Sequence, residues 1–253
     1  MTADQYLSVI LTREAVDTGP LSPVLSVQNV IGPVIKRWAG DKFLGLHPSG
    51  SFMKGTANKS GTDIDLFISL SEETQETLKE VYQKLFNTLK SNGYAPKEQN
   101  VSINIHVIGY SVDLVPGKRQ NGWSSDHSLY RRRADTWTKT NVATHISQVR
   151  NGLRISESRV LKLWRDQKHL DFPSFYLELT AIDALRQNGT GTLAGNVWKV
   201  FEYLRDKFAI ASVVDPANTN NTISDDLSVA AKNKIKTAAA QALNAANWNE
   251  IVL

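Results

Sequence analysis

The chain has 253 residues, 41% hydrophobic and 21% charged, with a formal net charge of +4. This balance excludes a disordered, collagenous or disulfide-stapled chain, and the length suits one or two domains. The absence of cysteine removes thiolate metal sites, iron–sulfur clusters and cysteine nucleophiles together, and fits a reducing compartment.

Ser22-Pro23 predicts a helix start, followed by a stripe of Val27, Val30, Ile31, Val34, Ile35 and Trp38 that Gly40 ends. Pro33 inside that stripe predicts a kink or an early break. Residues 43–47 read as a short strand, and residues 48–61 as a loop with one helical turn at most. Ile64, Leu66 and Ile68 alternate with Asp63, Asp65, Phe67 and Ser69, the period of a strand. Residues 71–92 form an amphipathic helix with Leu78, Val81, Leu85 and Leu89 on its stripe. Strands follow at 101–107 and 111–115, the second ended by Pro116-Gly117. Beyond residue 140 the strand signals stop, and helices are expected at 156–168, 174–187, 194–208 and 225–244. The division therefore falls into residues 1–140, an N-terminal helix with an α/β or α+β layer, and residues 141–253, a helical domain. No apolar run is long enough to span a bilayer, and the N-terminal stretch lacks the basic cluster of a secretory signal.

Charge is unevenly spread. Residues 117–154 carry Lys118, Arg119, Arg131, Arg132, Arg133, Lys139, Arg150 and Arg154 against Asp126 and Asp135, a local +6. Such a zone, 118–154, suits an activator or nucleic acid with phosphates, or a solvated loop. The five histidines show no metal spacing.

The chemistry concentrates in one stretch. Asp63 and Asp65, at i and i+2 on a strand, share a face with Cα atoms roughly 6.5–7 Å apart. Asp113 is a third carboxylate in an apolar strand, where an unpaired charge is costly and a metal would relieve it. Upstream, Gly50-Ser51 and Lys54 form a small-residue loop able to offer backbone N–H groups, a hydroxyl and a charge to phosphates. Either half alone is common on solvated surfaces; the conjunction is specific.

Gly50-Ser51, Lys54-Gly55-Thr56, Asp63-Ile64-Asp65 and Asp113 resemble the nucleotidyltransferase motif of the DNA polymerase β superfamily. Val160-Leu161-Lys162-Leu163-Trp164 and Pro173-Ser174-Phe175-Tyr176-Leu177-Glu178-Leu179 resemble the helical half of oligoadenylate synthases and bacterial CD-NTases, the second-messenger oligonucleotide synthases. The resemblance implies an α+β fold: a polymerase β-like core with a mixed sheet, a C-terminal helical domain, and an active site in the cleft. It implies that Asp63, Asp65 and Asp113 are catalytic and hold two Mg²⁺ ions, or Mn²⁺ in their place. Gly50, Ser51, Lys54, Lys162, Ser174 and Phe175 would bind the nucleotide, Phe175 by stacking on a base. The expected substrates are NTPs, ATP among them, joined into a cyclic or linear oligonucleotide in bacterial antiphage signalling, in the cytoplasm and away from membranes. Two alternatives remain: template-independent addition to RNA such as a tRNA 3′ end, and a catalytically silent nucleotide-binding regulator.

Overall fold

A computed structural model describes residues 1–61, 63–187 and 189–253. In chain order its elements are α1 (Ala3–Arg13), α2 (Pro23–Ala39), β1 (Phe43–Pro48), α3 (Gly50–Lys54), β2 (Ile64–Leu70), α4 (Leu78–Ser91), β3 (Lys97–Glu98), β4 (Ile103–Val107), β5 (Tyr110–Arg119), β6 (His127–Arg131), β7 (Thr136–Thr140), α5 (Val142–Asn151), α6 (Ile155–Gln167), α7 (Ser174–Leu185), α8 (Leu193–Asp206), β8 (Val214–Asp215), β9 (Asn218–Thr222), α9 (Val229–Leu243) and α10 (Trp248–Ile251). The class is α+β. The chain forms two compact units: Asp17–Met53 with Thr62–Ile146, and Met1–Val16 with Lys54–Gly61 and Ser147–Leu253. The sequence places one division at 140/141; in the structure Met1–Val16 and Lys54–Gly61 cluster with the helices.

The first unit is built on a mixed sheet of order β1-β2-β5-β4-β3, with β6 paired to β5 and β7 to β6. Among the described strand pairs of this sheet, β2 and β5 alone run parallel. One face buries Leu66, Ile68, Ile105, Val112 and Leu114 against Val27, Ile31 and Ile35 of α2 and Val81, Leu85 and Leu89 of α4. Each such side chain contributes about 1.5–3 kcal/mol on full burial. Because side chains alternate along β2, that arrangement turns Asp65, Phe67 and Ser69 to the opposite face.

Three local readings differ from the structure. First, α2 runs through Pro33 without ending; Pro33 and Asn29, whose carbonyl the ring leaves without a donor, are both exposed, so water can take the bond. Second, β5 continues past Pro116-Gly117 to Arg119. Pairing with β4 stops at Leu114 and pairing with β6 starts at Lys118, so a proline between them removes no bond from either. Third, α4 begins only at Leu78, where Thr77 and Glu80 form a reciprocal capping box, and residues 71–77 are irregular apart from a turn at Glu72-Glu73.

On the second face of β2, His127 of β6 stands edge-on to Phe67 with centroids 4.9 Å apart. Its Nδ1–H donates to the Ser125 carbonyl at 2.9 Å, and Nε2 lies 2.8 Å from the Ser69 hydroxyl. A carbonyl only accepts, so the proton sits on Nδ1 and the neutral ring accepts from Ser69. Burial pushes the imidazole below its ordinary value, with Arg119 adding to the effect. The unfolded chain then takes up a proton near pH 6.5 that the folded chain refuses. Stability is present above that value and lost as pH falls through the folded value, at no more than about 1.4 kcal/mol per pH unit. Urea melts at pH 7.5 and 5.5 should show this slope in the wild type and a reduced one in His127→Asn.

The second unit is helical, with Trp164, Tyr176, Phe201, Phe208 and Ile235 at its centre and Leu7, Ile10 and Leu11 of α1 packed into the same core. Its β8–β9 ribbon runs against the expectation that strands stop after residue 140. The segment Lys54–Gly61 is tied in by polar contacts. Asn58 Nδ2 donates to the Arg159 carbonyl at 2.9 Å, Arg159 Nε returns a bond to Asn58 Oδ1 at 3.0 Å, and Ser60 N–H donates to Glu14 Oε2 at 2.9 Å. Among the described residues, no helix is long and apolar enough to cross a membrane.

Candidate active site

Asp65 and Asp113 are direct register partners on the parallel pair β2 and β5. Neighbouring strands lie about 4.8 Å apart, and register partners in a parallel pair share a face. Asp63 stands just before β2, two residues from Asp65, and is exposed. Asp113 is held in place: its Oδ1 accepts from Asn104 Nδ2 at 2.8 Å and Gln99 Nε2 at 3.1 Å, and the Ser102 hydroxyl lies 3.5 Å from Oδ2. Burial lifts this carboxyl above its ordinary range, the Asn104 bond opposes the shift, and the charge of Asp63 reinforces it. The sheet thus places Asp65 and Asp113 on neighbouring strands, with Asp63 just ahead of the first.

Among the described residues no three His, Asp or Glu side chains are already gathered in a metal-holding group. The donors are of the right kind for Mg²⁺ or Mn²⁺, hard oxygens with no nitrogen or sulfur. Mg²⁺ is usually held by one or two carboxylates with water and substrate phosphates completing its shell. A cation there would also relieve the desolvated, like-charged state of Asp113.

Gly50 opens α3 in a left-handed conformation, φ 55°, and a Cβ built on it would overlap the Asp65 carboxylate. The Ser49 N–H donates to the Asp65 carbonyl at 2.9 Å, so the turn and the strand start are locked together. Ser51 follows in the first turn, half-buried. Gly50→Ala is expected to cost at least about 1–2 kcal/mol from the left-handed backbone alone, before the overlap with Asp65 is relieved. Chemical denaturation measures it, and a midpoint equal to wild type would separate the turn from Asp65.

Lys54, Lys162, Ser174 and Phe175 all lie in the helical unit. There the two lysines meet at a residue the motif reading passed over, Glu178 of α7, which is fully buried. Its Oε2 accepts from Lys54 Nζ at 2.6 Å and its Oε1 from Lys162 Nζ at 2.5 Å and from the Thr56 hydroxyl. Lys162 Nζ also reaches the Thr56 hydroxyl at 2.8 Å and its carbonyl at 3.3 Å. Burial pushes the Lys162 ammonium down to about 8; Glu178 opposes this and the Lys54 charge adds to it. Burial alone would raise the Glu178 carboxyl, but the two ammoniums overcome it and hold it below its ordinary range. Lys54 Nζ lies 5.0 Å from the centroid of the half-buried Phe175 ring. The Ser174 hydroxyl accepts from Arg165 Nη1 at 2.8 Å. The signal for Glu178 was in the sequence: a carboxylate in the wholly apolar turn Tyr176-Leu177-Glu178-Leu179 needs a buried partner.

Much of the basic zone is paired within its own surroundings. Arg119 bonds Glu72 at 2.8 Å, Lys139 lies 3.5 Å from Asp126, and Lys118 Nζ donates to the Thr74 carbonyl at 2.6 Å. Part of the zone, for which a solvated loop was the alternative to a phosphate partner, is the β6–β7 hairpin, whose register pairs Tyr130 with Trp137.

No family model and no curated protein matches the sequence. Solved structures do. Escherichia coli MS115-1 CdnC with ATP superposes with a TM-score of 0.76 at 17% identity, covering 96% of this chain and 91% of that one. The Bradyrhizobium diazoefficiens CD-NTase CdnG in complex with GTP gives 0.76 at 14% identity over 96% and 91%. A cytoplasmic RNA terminal U-transferase gives 0.64 at 12% identity over 97% and 94%. The chain shares their fold, a polymerase β-like nucleotidyltransferase core with a helical domain.

Proposed function

We propose that this chain, built on the nucleotidyltransferase fold of the CD-NTases, joins NTPs into a cyclic or linear oligonucleotide second messenger. ATP is among its substrates and bacterial antiphage signalling, in the cytoplasm, is its setting. The observation that carries the reading is the Asp65–Asp113 register pair with Asp63 two residues away, set against a left-handed Gly50 that leaves no room for a Cβ. In the reaction a ribose hydroxyl oxygen forms a bond to the α-phosphorus of an NTP, the bond from that phosphorus to pyrophosphate breaks, and the hydroxyl gives up its proton. Asp63, Asp65 and Asp113 would hold two Mg²⁺ ions, which when bound lower the pKa of the attacking hydroxyl and neutralise the leaving pyrophosphate. Asp113, the register partner of Asp65 held by Asn104 and Gln99, would accept that proton. Gly50 and Ser51 would give N–H and hydroxyl donors to phosphate. Lys54, Lys162 and Ser174 would add charge and a hydroxyl, and Phe175 a face for a base.

Purified protein incubated with the four NTPs and Mg²⁺ or Mn²⁺ should yield a phosphatase-resistant oligonucleotide identifiable by mass. Incorporation of labelled NTP into an added RNA 3′ end would instead make it an RNA-extending enzyme. NTP binding with neither product under any activating condition would leave the silent regulator.

A further inference from the structure

Two lysines sharing one buried glutamate is an unequal arrangement, and the inequality is chemical. An ammonium has three N–H donors. Lys162 has three acceptors within reach: the Thr56 carbonyl, the Thr56 hydroxyl and Glu178 Oε1. Lys54 donates one hydrogen bond, to Glu178 Oε2, and among the described residues makes no other. Its second neighbour is the face of the half-buried Phe175 ring, 5.0 Å from Nζ to the centroid, and the Lys54 side chain keeps 8% of its surface exposed. The glutamate is engaged at both oxygens, each taken by a lysine and Oε1 also by Thr56. One carboxylate against two ammoniums leaves a single positive charge over, and among the described residues of this cluster the unspent ammonium donors belong to Lys54.

We infer that Glu178 is a positioning residue for anion binding: it acts through Lys54, fixing that ammonium beside Phe175 with two N–H groups free for the oxygens of a triphosphate. Lys162 serves chiefly as the second counter-charge to Glu178 and as the anchor of Thr56. This rests on the nucleotide-binding reading above and adds to it the residue that orients the phosphate contact. A carboxylate is required, not merely a polar group, because an amide in its place would leave two buried ammoniums unneutralised. Its length matters too, since one methylene less draws Oε2 away from Lys54 while keeping the charge.

The test is calorimetric titration of the full chain with inorganic tripolyphosphate, and separately with a non-hydrolysable ATP analogue and Mg²⁺. The proteins are wild type, Lys54→Gln, Lys162→Gln, Glu178→Asp, Glu178→Gln and Lys54→Gln/Glu178→Asp, each with a thermal melt to establish folding. Lys54→Gln should lose about tenfold or more in tripolyphosphate affinity, as expected for a charge-assisted hydrogen bond. Glu178→Asp should lose affinity although its charge remains, and the double variant should lose no more than Lys54→Gln alone. Lys162→Gln should lose less than Lys54→Gln. Glu178→Gln is the most exposed to unfolding, and Glu178→Asp carries the test if it does. A folded Glu178→Asp that binds like wild type, a double variant whose loss equals the product of the two single losses, or a Lys162→Gln loss as large as that of Lys54→Gln overturns the inference. Wild type that binds neither probe ends the nucleotide reading and this one with it, whereas wild-type binding indifferent to Glu178 ends this one alone.

Discussion

Asp113→Asn abolishes NTP turnover and leaves the melting temperature at pH 7 unchanged or raised: that is the expected result, and the two halves have one cause. The carboxylate is buried, and the charge of Asp63 weighs against its ionised form. Asparagine keeps the shape and can still accept from Asn104 and Gln99, so the local hydrogen bonds survive. What disappears is a charge the fold bears for chemistry. The sign follows from the raised carboxyl: the folded state holds the proton more tightly, so the penalty is absent below the ordinary value of 3.8 and appears as pH rises through the folded value. The variant should therefore gain on wild type at pH 7 and match it in strong acid. Adding Mg²⁺ should reverse the order at neutral pH, since an ion bound only by the folded wild type stabilises it by mass action. Thermal melts with and without Mg²⁺, beside a pyrophosphate-release assay, measure all of this. A variant that turns over NTPs, or that melts far below wild type without metal, would make Asp113 structural.

Glu178→Ala carries the largest expected loss of stability. It removes the one carboxylate between two buried ammoniums and leaves the Thr56 hydroxyl without its acceptor. Removing one partner of a buried ion pair typically costs about 3–5 kcal/mol, which for a protein of this size lowers the melting temperature by on the order of 10 °C. Replacing Lys162 and Glu178 together by methionine should recover part of that loss, because apolar substitutes of similar volume leave one fewer charge to desolvate. Differential scanning calorimetry of the single and double variants decides it. A double variant no better than Glu178→Ala would mean the cost is packing rather than charge.

What the sequence disclosed and what it withheld divide along chain distance. The alternation through Ile64, Leu66 and Ile68 and the stripe Val81, Leu85, Leu89 are local patterns, and both elements formed where they pointed. The same alternation put Asp63 and Asp65 on one face, but only the parallel pairing of β2 with β5 makes Asp113 the neighbour of Asp65. The ribbon strand Asn218–Thr222 is wholly polar and has no hydrophobic period to read. The β6–β7 hairpin was masked by its charge, because Arg131 ends β6 and Arg132 and Arg133 occupy the turn. Helix α1 escaped the sequence reading, although Thr2 and Gln5, a capping box, and Leu7, Ile10 and Leu11 carry its local signal; its place in the helical core depends on residues near the other end of the chain. Part of the attachment of Lys54–Gly61 to the helices is Glu178, 122 residues beyond Thr56, and no local window along the sequence contains both.

The helical unit draws on three separate stretches of chain, so the backbone passes between the units four times. On the ribosome this becomes a matter of timing. Met1–Val16 and Lys54–Gly61 emerge early and must wait for Ser147–Leu253 before their core exists. With Glu178 trailing Thr56 by 122 residues, the wait at roughly 5–20 residues per second is on the order of ten seconds. During it Leu7, Ile10 and Leu11 lack their partners and Lys54 has no carboxylate. The sheet unit can close behind them, since its last strand is complete at Thr140. A gene cut at the codon for residue 147 would therefore not yield two modules. Its second fragment would lack α1, one of the two ammoniums that neutralise Glu178 and the Thr56 hydroxyl, so it could not be exchanged between genes as a self-sufficient piece.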